Sequence, residues 1–521
     1  MQLRRWVLPT FFWLASLGAA FLAGAFAHKY REAIRAKVRS IQSSPVIQTS
    51  LYNLRIEKLS IPGDGRDGAI DLFGEGLLLV NRRGQSWYIT KDRTLQPLSL
   101  RVPINTTDFE SDPFNRTTTE QNRFSVKDIL VQSLPSGVRI IASHFYWYRD
   151  RSCHTLRVSA IETTRDAVLS GKDSSGTWET LLESHCRKLN LSPDSSHHVT
   201  LGPGGRLAAL SDRQILVTSG EFFGDEFAGP EAAQRGDSSG KTVLIDMGAG
   251  TATEFTRGHR NPQGLAVGPD GRIWLTELGA RGGDELNLLV KGRDYGHPHL
   301  TYGTQYEMMV WPRSKTQGKH DGYEKPAFAW ISSIAPSQLI VVNGKSFPWW
   351  TGDLLIAALG SESLYRVRIE GDRAMFVEPI VINHRIRDMV ETTTGTIVLK
   401  TDDDFVVFID NLETAPASGL DPVTRGGILA GQCRSCHALE PKVPSGLGPN
   451  LWGVVNRRVA SAPNYSYSDA LKKLGGTWTP DRIRAFITAP GTVAPGTRMA
   501  IAATYTEEQM NDLIAYLQSL R

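Results

Sequence analysis

From about Leu51 to Leu412 the chain is cut into short apolar runs by turn residues, and this punctuation limits the fold more than any other feature. Gly76-Leu77-Leu78-Leu79-Val80 precedes Trp87-Tyr88-Ile89, and Leu207-Ala208-Ala209-Leu210 precedes Ile215-Leu216-Val217. Leu265-Ala266-Val267 faces Ile273-Trp274-Leu275 across Gly268-Pro269-Asp270-Gly271. Leu354-Leu355-Ile356 pairs with Leu364-Tyr365-Arg366-Val367, and Met389-Val390 with Thr396-Ile397-Val398-Leu399 across Thr394-Gly395. Each pair reads as a hairpin with turn chemistry at its tip. No helix-period segment interrupts the series, which argues against a doubly wound sheet. About 360 residues of four-stranded sheets make roughly six blades of a β-propeller. Met247-Gly248-Ala249-Gly250 does not complete a dinucleotide loop and reads as a turn; Phe145-Tyr146-Trp147-Tyr148 reads as core and blade packing, and Asp64-Gly65-Arg66-Asp67-Gly68 as a loop.

A second feature sets the chemistry. Cys433-Arg434-Ser435-Cys436-His437 is the c-type haem attachment pattern. Two thiols one helical turn apart can each bond a vinyl group of one porphyrin, and the adjacent His437 then sits beneath the iron. A second axial ligand from Met raises the potential of such a centre, and Met499 lies 66 positions after Cys433. Met510, Leu513, Ile514 and Leu517 fall at helical spacing, with Thr506 as N-cap and Glu508 near the start. This stretch, residues 425–521, resembles a class I cytochrome c of the mitochondrial type. The resemblance implies that the Pro449 carbonyl orients His437 and that Met499 is the distal ligand. It also implies that Arg457, Tyr467 and Trp478 surround the haem propionates. Phe486 departs from the Tyr common near the Met, and is read as core.

At 521 residues the chain exceeds one ordinary domain, and 40% hydrophobic with 21% charged residues fits a globular protein. The net charge of +4 misleads, because the first forty residues carry Arg4, Arg5, Lys29, Arg31, Arg35, Lys37 and Arg39 against Glu32, which leaves −2 on the rest. No basic face for nucleic acid is implied. Trp6 to Ala27 is uncharged over 22 residues. That is long enough for a transmembrane helix, although Ala25-Phe26-Ala27 also suits signal cleavage. Residues 1–40 are read as an uncleaved membrane anchor in preference to a signal segment. The basic residues after the span favour the opposite orientation, but long domains translocate regardless of flanking charge and the haem requires export. Both domains are therefore expected in the periplasm, anchored to a bacterial inner membrane. Cys153 and Cys186 form a disulfide or remain as two buried thiols; export favours the disulfide.

The most specific propeller stretch is Gly258-His259-Arg260-Asn261-Pro262-Gln263-Gly264-Leu265, then Trp274-Leu275-Thr276-Glu277, Arg281-Gly282-Gly283-Asp284-Glu285-Leu286-Asn287 and Asp294-Tyr295-Gly296-His297-Pro298. Trp330 to Ser337 and Asn383-His384-Arg385-Ile386-Arg387-Asp388 agree with it. Here residues 51–412 resemble the glucose/sorbosone dehydrogenase family, six-bladed propellers that oxidise aldose sugars with pyrroloquinoline quinone; Leu51 to about Ser196 matches poorly. The resemblance implies quinone contacts from Arg260, Asn261, Arg385 and Arg387. Arginine forks suit its three carboxylates. It further implies calcium on the carbonyls of Gly279 and Ala280, and Asp284 and Glu285 are candidates for a further calcium. Two family residues are missing. The general base, a His four positions before Arg206, falls at Gly202, leaving His198 as a substitute candidate; the quinone-binding Lys falls at Gly360.

The expected architecture is thus a transmembrane helix, an all-β six-bladed propeller, a linker over 413–424 and an all-α cytochrome. Two functions follow. In one, the propeller oxidises a sugar or other alcohol and passes electrons through haem c to a respiratory-chain acceptor. In the other, the propeller is a catalytically degenerate binding module on an electron carrier.

Overall fold

The computed structural model describes residues 46–62, 66–112, 124–171, 177–188, 202–221, 239–304, 319–412, 421–430, 433, 436–446, 448–499 and 505–521. The expected anchor, His198 and most of the 413–424 linker lie outside the described residues. Among the described residues no helix is long and apolar enough to cross a membrane.

Six antiparallel sheets follow one another in chain order, and their inner strands are Ala69–Phe73, Val126–Leu134, Gly204–Ala209, Pro262–Val267, Pro336–Val341 and Ile386–Glu391. The sixth sheet is completed by Asn53–Ser60, which pairs with Phe405–Asn411 from Leu54↔Asn411 to Ser60↔Phe405. Ring closure by an N-terminal strand leaves no open first or last blade. Apolar side chains fill the space between neighbouring blades. Ala69, Phe73, Leu78 and Val80 of the first pack on Val126, Ile140 and Ala142 of the second. Trp274 and Leu286 of the fourth pack on Leu339, Leu354 and Ile356 of the fifth.

All five hairpins expected from turn chemistry are present; Gly271, at φ +80°, closes the one between Pro262–Val267 and Ile273–Glu277. One expectation is corrected: two six-residue helices, Thr106–Ser111 and Arg165–Ser170, interrupt the strands. The second is bounded by local chemistry, not by periodicity. Thr164 accepts from Ala167 N–H at its start, and Gly171 at φ +65° ends it. Blade two is built from unusually long strands, Gly137–Tyr148 and Cys153–Thr163. Phe145 and Trp147 are buried there with Phe109 and Phe124. Cys153 and Cys186 form a disulfide with Cα atoms 5.6 Å apart.

The C-terminal part is helical: Pro422–Leu429, Asp469–Leu474, Pro480–Thr488, Pro490–Val493 and Glu507–Ser519. Thr506 caps the last helix as expected, in a reciprocal box with Gln509, and Glu508 lies in its first turn. The first and last helices meet at Gly426, where a Cβ would lie 1.8 Å from the Asp512 carbonyl oxygen. Arg425 grips the Asp512 carboxylate at 2.6 and 2.7 Å beside this contact. Leu429, Trp478, Ile483, Phe486, Leu513 and Leu517 form the core beneath, and the Trp478 and Phe486 rings lie 5.0 Å apart, so Phe486 is core as expected.

Candidate functional site

Five of the six inner strands carry a register irregularity near their start, and one residue at or next to it occupies the same place in each blade. These residues are Asp128, Arg206, Gly264, Gln338 and Asp388; Asp71 holds the same place in blade one. Arg206 is the hub. Its guanidinium reaches Asp128 at 3.2 Å, Asp388 at 2.9 Å, and the carbonyls of Gln263, Ser337 and Arg387 at 2.8, 3.0 and 2.6 Å. One side chain therefore ties five blades. Gly264 lets blades four and five approach closely, since a Cβ there would meet Thr276 Oγ1 at 2.3 Å and the Gln338 backbone at 3.0 Å. Burial pushes the Asp71 carboxyl up to about 7. Burial likewise raises Asp128, with the Asp388 charge adding to it against Arg206.

A second cluster caps this axis at the start of the inner strands. Asp67 accepts from Lys127 Nζ at 3.0 Å and Ser125 Oγ at 2.7 Å, and Arg387 Nη1 lies 3.0 Å from it. Arg387 also forks onto Asp402 at 2.9 and 2.8 Å. Arg385 approaches Asp402 at 3.5 Å and donates to the Leu359 carbonyl. Both arginines approach Asp402, but Arg387 is committed to carboxylates while Arg385 stays 42% exposed. Burial opposes charge on Asp67, yet Lys127 and Arg387 hold its carboxyl well below the usual range. Burial lowers Lys400, which lies among the same groups. Sequence reading missed Asp67, Lys127, Lys400 and Asp402; only Asp67 carried a local cue, as part of a loop.

The family-like stretch in blade four is also tightly bonded. Arg260 Nη1 donates to the Gly279 carbonyl at 2.8 Å, and its Nε lies 3.4 Å from Glu221. Asn261 Oδ1 accepts from Gln263. Burial disfavours charge on Glu277, but His259 Nδ1 at 3.0 Å and Arg260 N–H at 2.8 Å outweigh it and lower its pKa. Asp284 accepts from Gly279 N–H, Ser333 Oγ and the Ile334 and Ala335 N–H groups, so it fastens two loops together. Glu285 accepts from Asn287 at 3.3 Å and lies 3.5 Å from His320; burial raises its pKa. Gly279, Ala280, Ser333 and Ala335 line a cavity of about 530 Å³. Among the described residues no cluster of three His, Cys, Asp or Glu side chains is arranged to hold a metal.

Two glycines occupy the positions where the resemblance leads one to expect the base and the lysine. Gly202 adopts φ +75°, and its carbonyl lies 1.8 Å from where a Cβ on Gly220 would be. Gly360 N–H donates to Ile334, and a Cβ on it would approach that carbonyl oxygen to 3.0 Å.

In the helical part, His437 N–H donates to the Cys433 carbonyl at 2.8 Å, closing one turn between the thiols and the imidazole. His437 Nδ1 lies 2.6 Å from the Pro449 carbonyl oxygen, which orients the ring and leaves Nε2 for a metal. Burial lowers the His437 pKa, which favours the neutral, ligating ring. Gly448 is pressed against this ring; a Cβ would be 2.3 Å from Cε1. Arg457 donates to the carbonyls of Trp452 and Asn450, and Tyr467 OH accepts from Ala462 N–H. Met499 is half-buried against the helical core. The donor set, its orientation and the glycine cradle fit a covalently held haem.

Comparison with known proteins separates the two halves. Residues 163–407 match the glucose/sorbosone dehydrogenase family model. Over 98 residues the chain is 39% identical to cytochrome c2 of Agrobacterium tumefaciens, covering 18% of this chain and 88% of that protein. The chain joins a propeller, part of which matches that family model, to a member of the cytochrome c family. The cytochrome relationship implies haem c. The chain is also 33% identical over 216 residues to aldose sugar dehydrogenase YliI of Escherichia coli, and it spans 57% of that protein and 53% of the uncharacterized protein slr1608 of Synechocystis, little more than half of each. The solved soluble aldose sugar dehydrogenase of Escherichia coli shares the propeller fold, with a TM-score of 0.54 at 23% identity over 68% of this chain and 99% of that one.

Proposed function

We propose that the chain is a membrane-anchored periplasmic haem c electron-transfer protein. In this reading its propeller oxidises an aldose sugar or another alcohol with pyrroloquinoline quinone. The fused cytochrome receives the electrons and passes them to a respiratory-chain acceptor. The charge at the propeller mouth is the observation that carries it: Lys127, Arg385, Arg387 and Lys400 outnumber Asp67 and Asp402 there. That excess suits a cofactor with three carboxylates. The bound quinone would supply the two-electron acceptor for the alcohol. Arg385, the more exposed arginine, would bind one of its carboxylates, and Arg387 would set the field. A calcium ion on the Gly279 and Ala280 carbonyls would take over the oxygen that Arg260 now holds, with Asp284 and Glu285 as neighbours.

Cys433 and Cys436 would attach the porphyrin, His437 and Met499 would ligate the iron, and Arg457, Tyr467 and Trp478 would line the propionate side. Tethering makes electron transfer intramolecular and raises the effective concentration of the acceptor. The test is reconstitution of the full chain with pyrroloquinoline quinone and calcium, followed by haem reduction on adding a panel of aldoses and alcohols. Reduction that is lost in Arg385→Ala supports the reading. If it is also lost in His198→Ala, the proton acceptor comes from that histidine.

A second reading has its own observation. Gly202 and Gly360 stand, closely packed, where the base and lysine of active relatives are expected, which suits a propeller that binds without turnover. Absence of haem reduction across the whole panel, with quinone bound, favours that binding module on an electron carrier.

A further inference from the structure

The chain comes onto the propeller at blade five. Ser50 N–H donates to Glu378 at 2.6 Å, and Arg366 Nη2 reaches Ser50 Oγ at 3.3 Å. The Tyr52 ring packs edge-on to Phe347 and Trp350, and its hydroxyl accepts from Trp349 N–H at 2.8 Å. Around this point lies a group of exposed apolar side chains. Trp349 is 71% exposed, Met375 59%, Phe376 41% and Leu51 39%. The outer strand Arg373–Val381 has a register irregularity opposite Arg368 and Ile369, where Phe376 pairs with Arg368 and Ala374 with Ile369. Met375 is the extra residue. A bulge of this kind turns two consecutive side chains outward, which a regular strand cannot do. Arg366 and Arg368 lie against the Phe376 ring, and Arg373 is exposed at the strand start.

We infer that this edge of blade five is a membrane-contact surface whose partner is the headgroup and upper acyl region of a lipid bilayer. The inference rests on the anchor reading above. The uncharged run Trp6 to Ala27 ends only 21 positions before Gln48, and the chain then meets the propeller at the exposed patch itself. A tether of that length keeps the patch at high local concentration next to any bilayer holding the run. The composition fits: an exposed Trp with neighbouring apolar side chains matches the interfacial belt, and of the nearby arginines Arg373 and the half-exposed Arg368 reach solvent while Arg366 is buried against Asp353 and Glu378. Contact here would set one side of the propeller towards the membrane.

The test uses the full haem-loaded chain in anionic vesicles whose acyl chains carry bromine, which quenches tryptophan emission only on contact. Trp6 and Trp13 report the anchor, and Trp349 reports the patch. Quenching should fall in Trp349→Phe. It should fall by the same amount in the paired substitution Met375→Ser with Phe376→Asn, with the Soret band unchanged. Quenching that is the same in all three proteins overturns the patch while leaving the anchor standing. Quenching absent even from the unsubstituted chain overturns the anchor and the inference with it. If the paired substitution instead lowers the sedimenting mass and leaves quenching intact, a second copy covers the patch and the lipid assignment is wrong.

Discussion

At the scale of single residues, the haem site is governed by contacts that are easy to break. Gly448→Ala should push its new methyl into the His437 ring, which the Pro449 carbonyl holds at Nδ1. Haem yield per protein, read from Soret absorbance, should drop roughly ten-fold or more, the usual scale for disturbing a metal ligand's support. Met499→Ala should lower the reduction potential in a redox titration, since thioether ligation raises it. Much of this was legible in the chain, because Cys433, Cys436 and His437 are adjacent and covalent chemistry dictates their spacing. Arg206 was not. It served only as the reference point for placing the missing base. Its real role depends on Gln263, Ser337 and Arg387, residues from three other blades that no local pattern brings together.

At the scale of elements, the hairpins were legible because Gly, Pro, Asp and Thr at their tips act locally. The two short helices were not, since six residues make fewer than two turns and carry no periodic signal. The crossing of the helices Pro422–Leu429 and Glu507–Ser519 is the most constrained packing in the cytochrome part. Gly426→Ala should destabilise it by about 1–3 kcal/mol, the ordinary penalty for overpacking. Denaturant unfolding followed at the Soret band would measure this. Gly427→Ala should cost less, because its neighbour at 3.0 Å is the edge of the Tyr516 ring and not a backbone oxygen.

At the scale of the whole molecule, the axis decides how the propeller responds to substitution and to pH. Arg206→Met would leave Asp128 and Asp388 without their shared cation; loss of one partner from a buried charged group costs about 3–5 kcal/mol. The sign of the pH effect follows from Asp71. Its carboxyl sits at about 7 in the fold against an ordinary 3.8, so the fold favours the protonated form. The stabilisation is complete below pH 4 and is lost as pH rises through 7. Glu391, also raised by burial to about 7, acts in the same direction. Propeller melting should therefore occur roughly a few degrees lower at pH 8 than at pH 5, and Asp71→Asn should reduce the difference, with the Glu391 share remaining. Ring closure has a mechanical consequence as well. Leu54 and Asn411 face each other at one end of an antiparallel pair. Any pull between the leading tether and the trailing carrier is therefore delivered in the peeling direction, rung by rung along a single seam. Under load the ring would open like a zip at that seam, with the other five sheets still folded.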